Sequence, residues 1–339
     1  MKTRLKNTLL VLTAVAALFA SGCGRKEPLP SAQGAPKAES KPAKTYAMNV
    51  LVSTVPFFSD SRATWGAVGE AHGVTTKFGG PVDTDAKKQI EEIEALIAQG
   101  VNGLVVAPTD SAALAPVINK AVERGIPVVT YLNDVPTSKR IAYVTSQLEE
   151  ASLRVGAAVL KKGDARKKAI ILFAEAANLE QMGRRRGFEQ LKVEYPHLEI
   201  VEVVADKFSD AVATEQLRPL LAKHPDIAYI FGCGSRSAVG AVAALKEMNF
   251  KPGQVIVTGW DYDADALKLI ESGWVAVSAA QNTSYMTQIA YSILEAASHD
   301  YLYPKNHPFK EHGVRPLPEK IVVPVELVTK ANAAAYYPR

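Results

Sequence analysis

The sequence predicts an α/β fold of two lobes, each a doubly wound parallel sheet with helices on both faces. Three observations lead there. From Tyr46 onward, short β-rich runs alternate with helical segments, the order that produces parallel sheets covered on both sides. The same order of elements occurs twice, with matching strands offset by roughly 120–130 residues. The chain has 339 residues, 47% of them hydrophobic, which is enough apolar material for two cores.

In the first half the runs read as strands at 47–53, 74–78, 103–107, 127–131 and 141–144, with helices at 60–72, 84–99 and 111–124. The segment 84–99 places Ile90, Ile93, Leu96 and Ile97 on one stripe, which is helical spacing. Asp83 is a candidate cap for its start and Gly100 for its end; Asp110 and Gly125 bracket the next helix in the same way. The second half gives strands at 169–173, 200–204, 228–231, 255–258 and 275–279, with helices at 181–194, 210–223, 236–248 and 263–272. Pro219 falls inside one of these and predicts a kink or a restart. Open parallel sheets bind ligands at the carboxyl ends of their strands, so the loops that follow strands carry the candidate site.

The N-terminus reads as an export signal (1–22): a basic stretch, an apolar run over 8–20, then small residues. The run is too short to span a bilayer as a mature helix. It ends in Ala20-Ser21-Gly22-Cys23, which resembles the lipobox of bacterial lipoproteins, and that resemblance implies lipidation at Cys23 and anchoring to the cell envelope. Residues 23–45, rich in Pro, Ala, Lys and Ser, read as a flexible tether. With Cys23 lipidated, Cys233 has no cysteine to pair with, so the fold depends on its cores.

The formal net charge of +4 is concentrated at this end. Lys2, Arg4 and Lys6 supply three positive charges and residues 24–45 a net three more, so the remaining body is slightly acidic. Such a body lacks the dense basic face that nucleic-acid binding requires. Enzyme signatures are weak. Gly232-Cys-Gly234 lacks the third glycine of a dinucleotide fingerprint, and no phosphate loop ends in Gly-Lys-Ser/Thr. The six histidines show no metal-ligand spacing, so no cofactor or metal is expected. Cys233 has no evident base beside it and reads as a partly buried thiol.

Several local stretches, in order, carry a resemblance to a known family. They include the run from Val52 to Phe58, Ala107-Pro-Thr-Asp110, the run from Gly125 to Thr130, His224-Pro-Asp226 and Thr258-Gly-Trp-Asp261. Over about residues 46–330 the chain resembles the type I periplasmic sugar-binding proteins, the group of ribose- and galactose-binding proteins. The resemblance implies a three-segment hinge, with a helix at about 285–298 returning to the first lobe and a last strand at 321–328 returning to the second. The N-terminal lobe is then 46–146 plus 282–311, and the C-terminal lobe 147–281 plus 312–339.

The resemblance also implies a function. The chain would be a monomeric, non-enzymatic receptor that captures a sugar-like small molecule by closing, then docks on the permease subunits of an ABC importer. A sensor subunit for a membrane signalling receptor is the alternative. A repressor with the same lobes would need a DNA-binding helix-turn-helix where the export signal stands.

Sugars are gripped by aromatic faces and by planar polar side chains that pair with adjacent hydroxyls. By family position, Phe57 and Phe58 are expected to stack on ligand. Trp260 is a stacking platform and Asp261 a hydroxyl acceptor, Gln281 bonds ligand at the hinge, and Arg184 reaches it from the second lobe. After Thr130-Tyr131 the family's Asp is replaced by Leu132, with Asn133 and Asp134 following as candidates; Gly234 and Ser235 stand for the usual Asn-Asp, and Arg236 follows. These departures leave two readings open. Arg236 can turn inward and favour an anionic ligand, or turn outward along its helix and leave a greasier pocket.

Overall fold

The computed structural model describes residues 44–161, 168–176, 178–303, 308–309 and 311–337. The export signal, Cys23 and all but the end of the tether lie outside the described residues. The described residues belong to one compact unit built on two six-stranded sheets.

The first sheet contains β1 (Thr45–Asn49), β2 (Thr75–Gly79), β3 (Gly103–Val106), β4 (Val128–Tyr131) and β5 (Ala142–Ser146). The second contains β6 (Lys168–Phe173), β7 (Glu199–Ala205), β8 (Ile227–Gly232), β9 (Ile256–Trp260) and β10 (Val275–Gln281). Two late strands, β11 (Lys320–Val323) and β12 (Val325–Val328), complete one sheet each. The orders are β11-β5-β4-β3-β1-β2 and β12-β10-β9-β8-β6-β7. All pairings are parallel except β12 on β10.

The helices of the first lobe are α1 (Ser59–His72), α2 (Ala86–Ala98) and α3 (Ser111–Glu123). Those of the second are α4 (Leu148–Val159), α5 (Leu179–Glu194), α6 (Asp210–Lys223), α7 (Ser235–Glu247) and α8 (Ala264–Glu271). Helix α9 (Thr283–Ser298) returns to pack on α1 and the first sheet. Every residue of β3, β4 and β8 is buried, as expected of strands covered on both faces. Each sheet accordingly has an apolar cluster on either side, one pair around Tyr46 and Leu104, the other around Ile230 and Tyr229.

The structure corrects the sequence reading at four points. Helix α4 fills a stretch for which the sequence predicted no element. Its partner α5 lies so close that a Cβ on Gly187 would stand 2.3 Å from the Glu149 carbonyl oxygen; glycine is required there. The single strand expected over 321–328 is split at Pro324, which has no N–H to donate. Its first part pairs with β5 and its second with β10, so the last crossing between lobes is at Pro324 and residues 320–323 belong to the first sheet, not the second lobe. The cap of α2 is Asp85, which accepts from the Lys88 amide at 3.0 Å, while Asp83 pairs with the Lys88 ammonium at 3.2 Å. Helix α6 runs unbroken past Pro219, with no restart. Among the described residues no helix is long and apolar enough to cross a membrane, and no group of His, Cys, Asp or Glu is placed to hold a metal.

Candidate functional site

The carboxyl ends of both sheets face one another across a cavity of about 50 Å³. The first lobe contributes an apolar wall of Leu51, Val52, Val55, Phe57, Phe58 and Leu132. The second contributes polar groups: Asn178, Glu180, Gln181 and Arg184 from α5 and its cap, Asp206 after β7, Ser235 and Ser237 from α7, and Asp261 after β9. A larger groove of about 660 Å³ lies at the other end of the first sheet, beside Lys44, Asn102 and Pro127, which precede β1, β3 and β4. Ligands of open parallel sheets bind at the carboxyl ends, so the smaller cavity is the candidate.

The two phenylalanines meet edge to face, with centroids 5.0 Å apart. Phe57 is half-buried and Phe58 buried; both border the cavity, and Phe58 also belongs to the first lobe's core. Leu132 adopts a left-handed conformation (φ 62°) that ends β4 and turns the chain. The two residues after it do not border the cavity. Asp134 is held by Arg140 through two bonds, one of 2.6 Å to Nη2, and accepts from the Thr130 hydroxyl at 2.9 Å. Asn133 spans the lobes: its amide donates to the Pro108 carbonyl at 3.0 Å, and its Oδ1 accepts from the Glu180 backbone N–H at 2.9 Å.

Arg184 is buried at the centre of the second wall. Its Nη1 donates to the Cys233 carbonyl at 2.7 Å, and its Nη2 to Glu180 Oε1 at 2.8 Å and Gln281 Oε1 at 2.7 Å. The Gln281 amide donates onward to Glu180 Oε1 at 2.7 Å and to the Ser146 hydroxyl at 3.0 Å, closing a network at the first two crossings. The guanidinium lies 4.1 Å from the ring centroid of Trp260. Trp260 is fully buried in the second lobe's core and Gln281 is occupied by the hinge; neither borders the cavity. The expected stacking of Trp260 on ligand is therefore replaced by stacking on Arg184. Burial pushes the Cys233 thiol well above its ordinary range, although Arg184 opposes the shift, so it is not a ready nucleophile.

Asp261 does reach the cavity. It has a left-handed backbone (φ 74°), its N–H donates to Ala279 at 2.7 Å, and its carbonyl accepts from the Ser278 hydroxyl at 2.7 Å. Burial pushes its carboxyl up to about 7 against the pull of Arg184, and Oδ1 has no hydrogen-bond partner. Asp206 is pushed up to about 6, again by burial, although the Ser237 hydroxyl and the Phe208 N–H (3.1 Å) both donate to it. Arg236 borders the cavity, but its guanidinium is bound by acids. Nη2 lies 3.0 Å from Asp263 and 3.5 Å from Asp265, and Nη1 lies 3.7 Å from Asp210. An anionic ligand would have to compete with three carboxylates for it, which removes the argument for a negatively charged ligand.

Glu180, Asp206 and Phe208 are site residues the sequence reading did not single out. The signal for Asp206 and Phe208 is positional, since both follow the carboxyl end of β7. Two consecutive left-handed residues, Lys207 and Phe208 (φ 56° and 58°), shape that loop. Glu180 carries a weaker signal: it stands one turn before Arg184 on the same helix, at i,i+4 spacing.

Two parallel-sheet lobes joined by three crossings, with a cavity shut between their carboxyl ends, define a two-lobed binding protein of the type I periplasmic architecture. The chain belongs to the periplasmic binding protein family: the profile of the periplasmic binding protein domain matches residues 46–299. This is a family of solute-binding proteins rather than of enzymes. The ribose import binding protein of Bacillus subtilis is 26% identical over 290 residues, covering 84% of this chain and 91% of that protein. The D-apiose import binding protein of Paraburkholderia graminis is 26% identical over 279 residues, covering 82% and 85%. An ABC-transporter solute-binding protein from Burkholderia graminis, solved with D-arabinose, superposes with a TM-score of 0.78 at 24% identity, covering 88% of this chain and 100% of that one. The arabinose-binding protein of Geobacillus stearothermophilus gives 0.75, also at 24% identity, covering 88% and 100%. At such identities it is the fold that is shared.

Proposed function

We propose that this chain is the substrate-binding component of an ABC-type importer and captures a sugar or sugar-like small polar ligand by hinge closure. The observation that carries this reading is the pairing of the lobes across the cavity. Asn133 Oδ1 accepts from the Glu180 N–H, and the Tyr262 hydroxyl donates to Asp60 at 2.8 Å; both bonds need the lobes together. A cavity of about 50 Å³ has room for one or two waters, so a sugar enters only when the lobes part. The relatives named for import favour import over sensing. Export and anchoring through Cys23 complete the reading, placing the receptor at the cell envelope beside its permease. A thermal-shift screen against sugars, sugar acids, polyols and nucleosides tests it, because a ligand that binds only the folded state raises its melting temperature. Small-angle scattering on the strongest hit should show a smaller radius of gyration. A bound ligand that leaves that radius unchanged removes the closure mechanism.

A further inference from the structure

The cavity is bordered by more carboxyl groups than its own cations can match. Glu180, Asp206 and Asp261 border it together with two guanidinium groups, Arg184 and Arg236. Glu180 is matched by Arg184 at 2.8 Å. The guanidinium of Arg236 lies within 4.0 Å of each of Asp210, Asp263 and Asp265, so it has no positive charge to spare for the cavity. Asp206 and Asp261 remain. Among the described residues neither makes an ion pair, and they are only 1% and 8% exposed. Asp261 Oδ1 is buried with no hydrogen-bond donor. A carboxylate in that setting needs a counter-charge, and the rest of the wall supplies none: its other residues are uncharged, either polar (Asn178, Gln181, Ser235 and Ser237) or apolar, with Phe57, Phe58 and Phe208 among the latter. Aromatic faces of this kind attract cations as well as apolar carbon.

We infer that the ligand is cationic, an ammonium group on a sugar-sized body, held by Asp261 and Asp206 with its carbon frame against Phe57, Phe58 and Phe208. This narrows the ligand class of the sugar-capture reading and rests on it. The hydroxyls of such a ligand have donors waiting, since the Nε atoms of Arg184 and Arg236 are also buried without partners. The raised protonation ranges of both aspartates fit the same picture, because a cation would return them to their charged form.

The test compares matched pairs on the full-length protein by thermal shift, followed by calorimetry on each pair that registers. The pairs are glucosamine with glucose, galactosamine with galactose, mannosamine with mannose, and 1-amino-1-deoxysorbitol with sorbitol. N-acetylglucosamine serves as a control that keeps the nitrogen without the charge. The amine should bind about ten- to a hundredfold more tightly than its neutral partner, the worth of one charged hydrogen bond, and the N-acetyl sugar should lose the advantage. Asp261→Asn should cut the amine's preference over its neutral partner about tenfold or more. Neutral sugars that bind as well as the amines, with a ratio untouched by Asp261→Asn, overturn the cationic ligand and leave sugar capture standing. Failure of every compound in the panel overturns both. Because the wild-type comparison stands without any variant, a poorly folded Asp261→Asn protein does not rescue the idea.

Discussion

Replacing Arg184 with methionine keeps most of an apolar stem above Trp260 but removes the guanidinium. Three hydrogen bonds go with it, to Cys233, Glu180 and Gln281. The Glu180 side chain, only 6% exposed, is left as a buried carboxylate whose remaining side-chain donor in the network is the Gln281 amide. Removing one partner of a buried ion pair costs roughly 3–5 kcal/mol, because the other charge is stranded. At about 2–4 °C per kcal/mol for a domain of this size, the melting temperature should fall by about 6–20 °C. Adding Glu180→Gln removes the stranded charge, so the double variant should recover at least half of the loss, a coupling of more than about 1 kcal/mol. Thermal melts and urea titrations of the wild type, both single variants and the double variant measure it. A loss below about 1 kcal/mol for Arg184→Met, or strict additivity in the cycle, refutes the view that this pair is held in a dry interior.

The pH dependence of stability offers a second check. The Asp261 carboxyl moves from 3.8 to about 7 on folding, so the native state holds a proton that the unfolded chain has released. Stability should therefore fall as pH rises from about 4 to 7, with the loss complete above that range. Asparagine tolerates the left-handed backbone, so Asp261→Asn should fold and show a shallower decline in melting temperature between pH 4 and 8; parallel curves for the two proteins would contradict this assignment. Cys23→Ser should abolish lipid labelling and release the protein from the membrane fraction, and a labelled, membrane-bound variant would count against the lipobox.

The alternation of strands and helices, and its repetition, were legible because parallel sheets bury both faces and so write long apolar runs at regular spacing. The site was legible in part. Trp260 and Asp261 are adjacent, and neighbouring residues at a strand end tend to face opposite ways. That places the indole in the core and the carboxyl in the cleft, a division that the pair's shared family position conceals. Asn133 and Asp134 follow a residue with positive φ, and nothing in a leucine announces that conformation. The direction of Arg236 depends on Asp210 and Asp263, residues 26 and 27 positions away, which only the folded chain brings to it. Pro324, by contrast, was a readable break in the last strand, since a proline cannot donate to a ladder.

The bond between Asn133 and the Glu180 amide has a consequence for how helix α5 behaves in time. The first N–H groups of a helix have no partner within it, and Asn178 satisfies only the Gln181 N–H, at 3.0 Å. The amide of Glu180 is satisfied by a residue of the opposite lobe, so parting the lobes exposes it to water while the rest of the helix stays bonded. Its hydrogen-exchange rate is then set by how often the hinge opens, and ligand should slow that one amide far more than its neighbours one turn along. One of the bonds that join the two halves thus makes the Glu180 amide a local reporter of how much of the population stands open before anything binds.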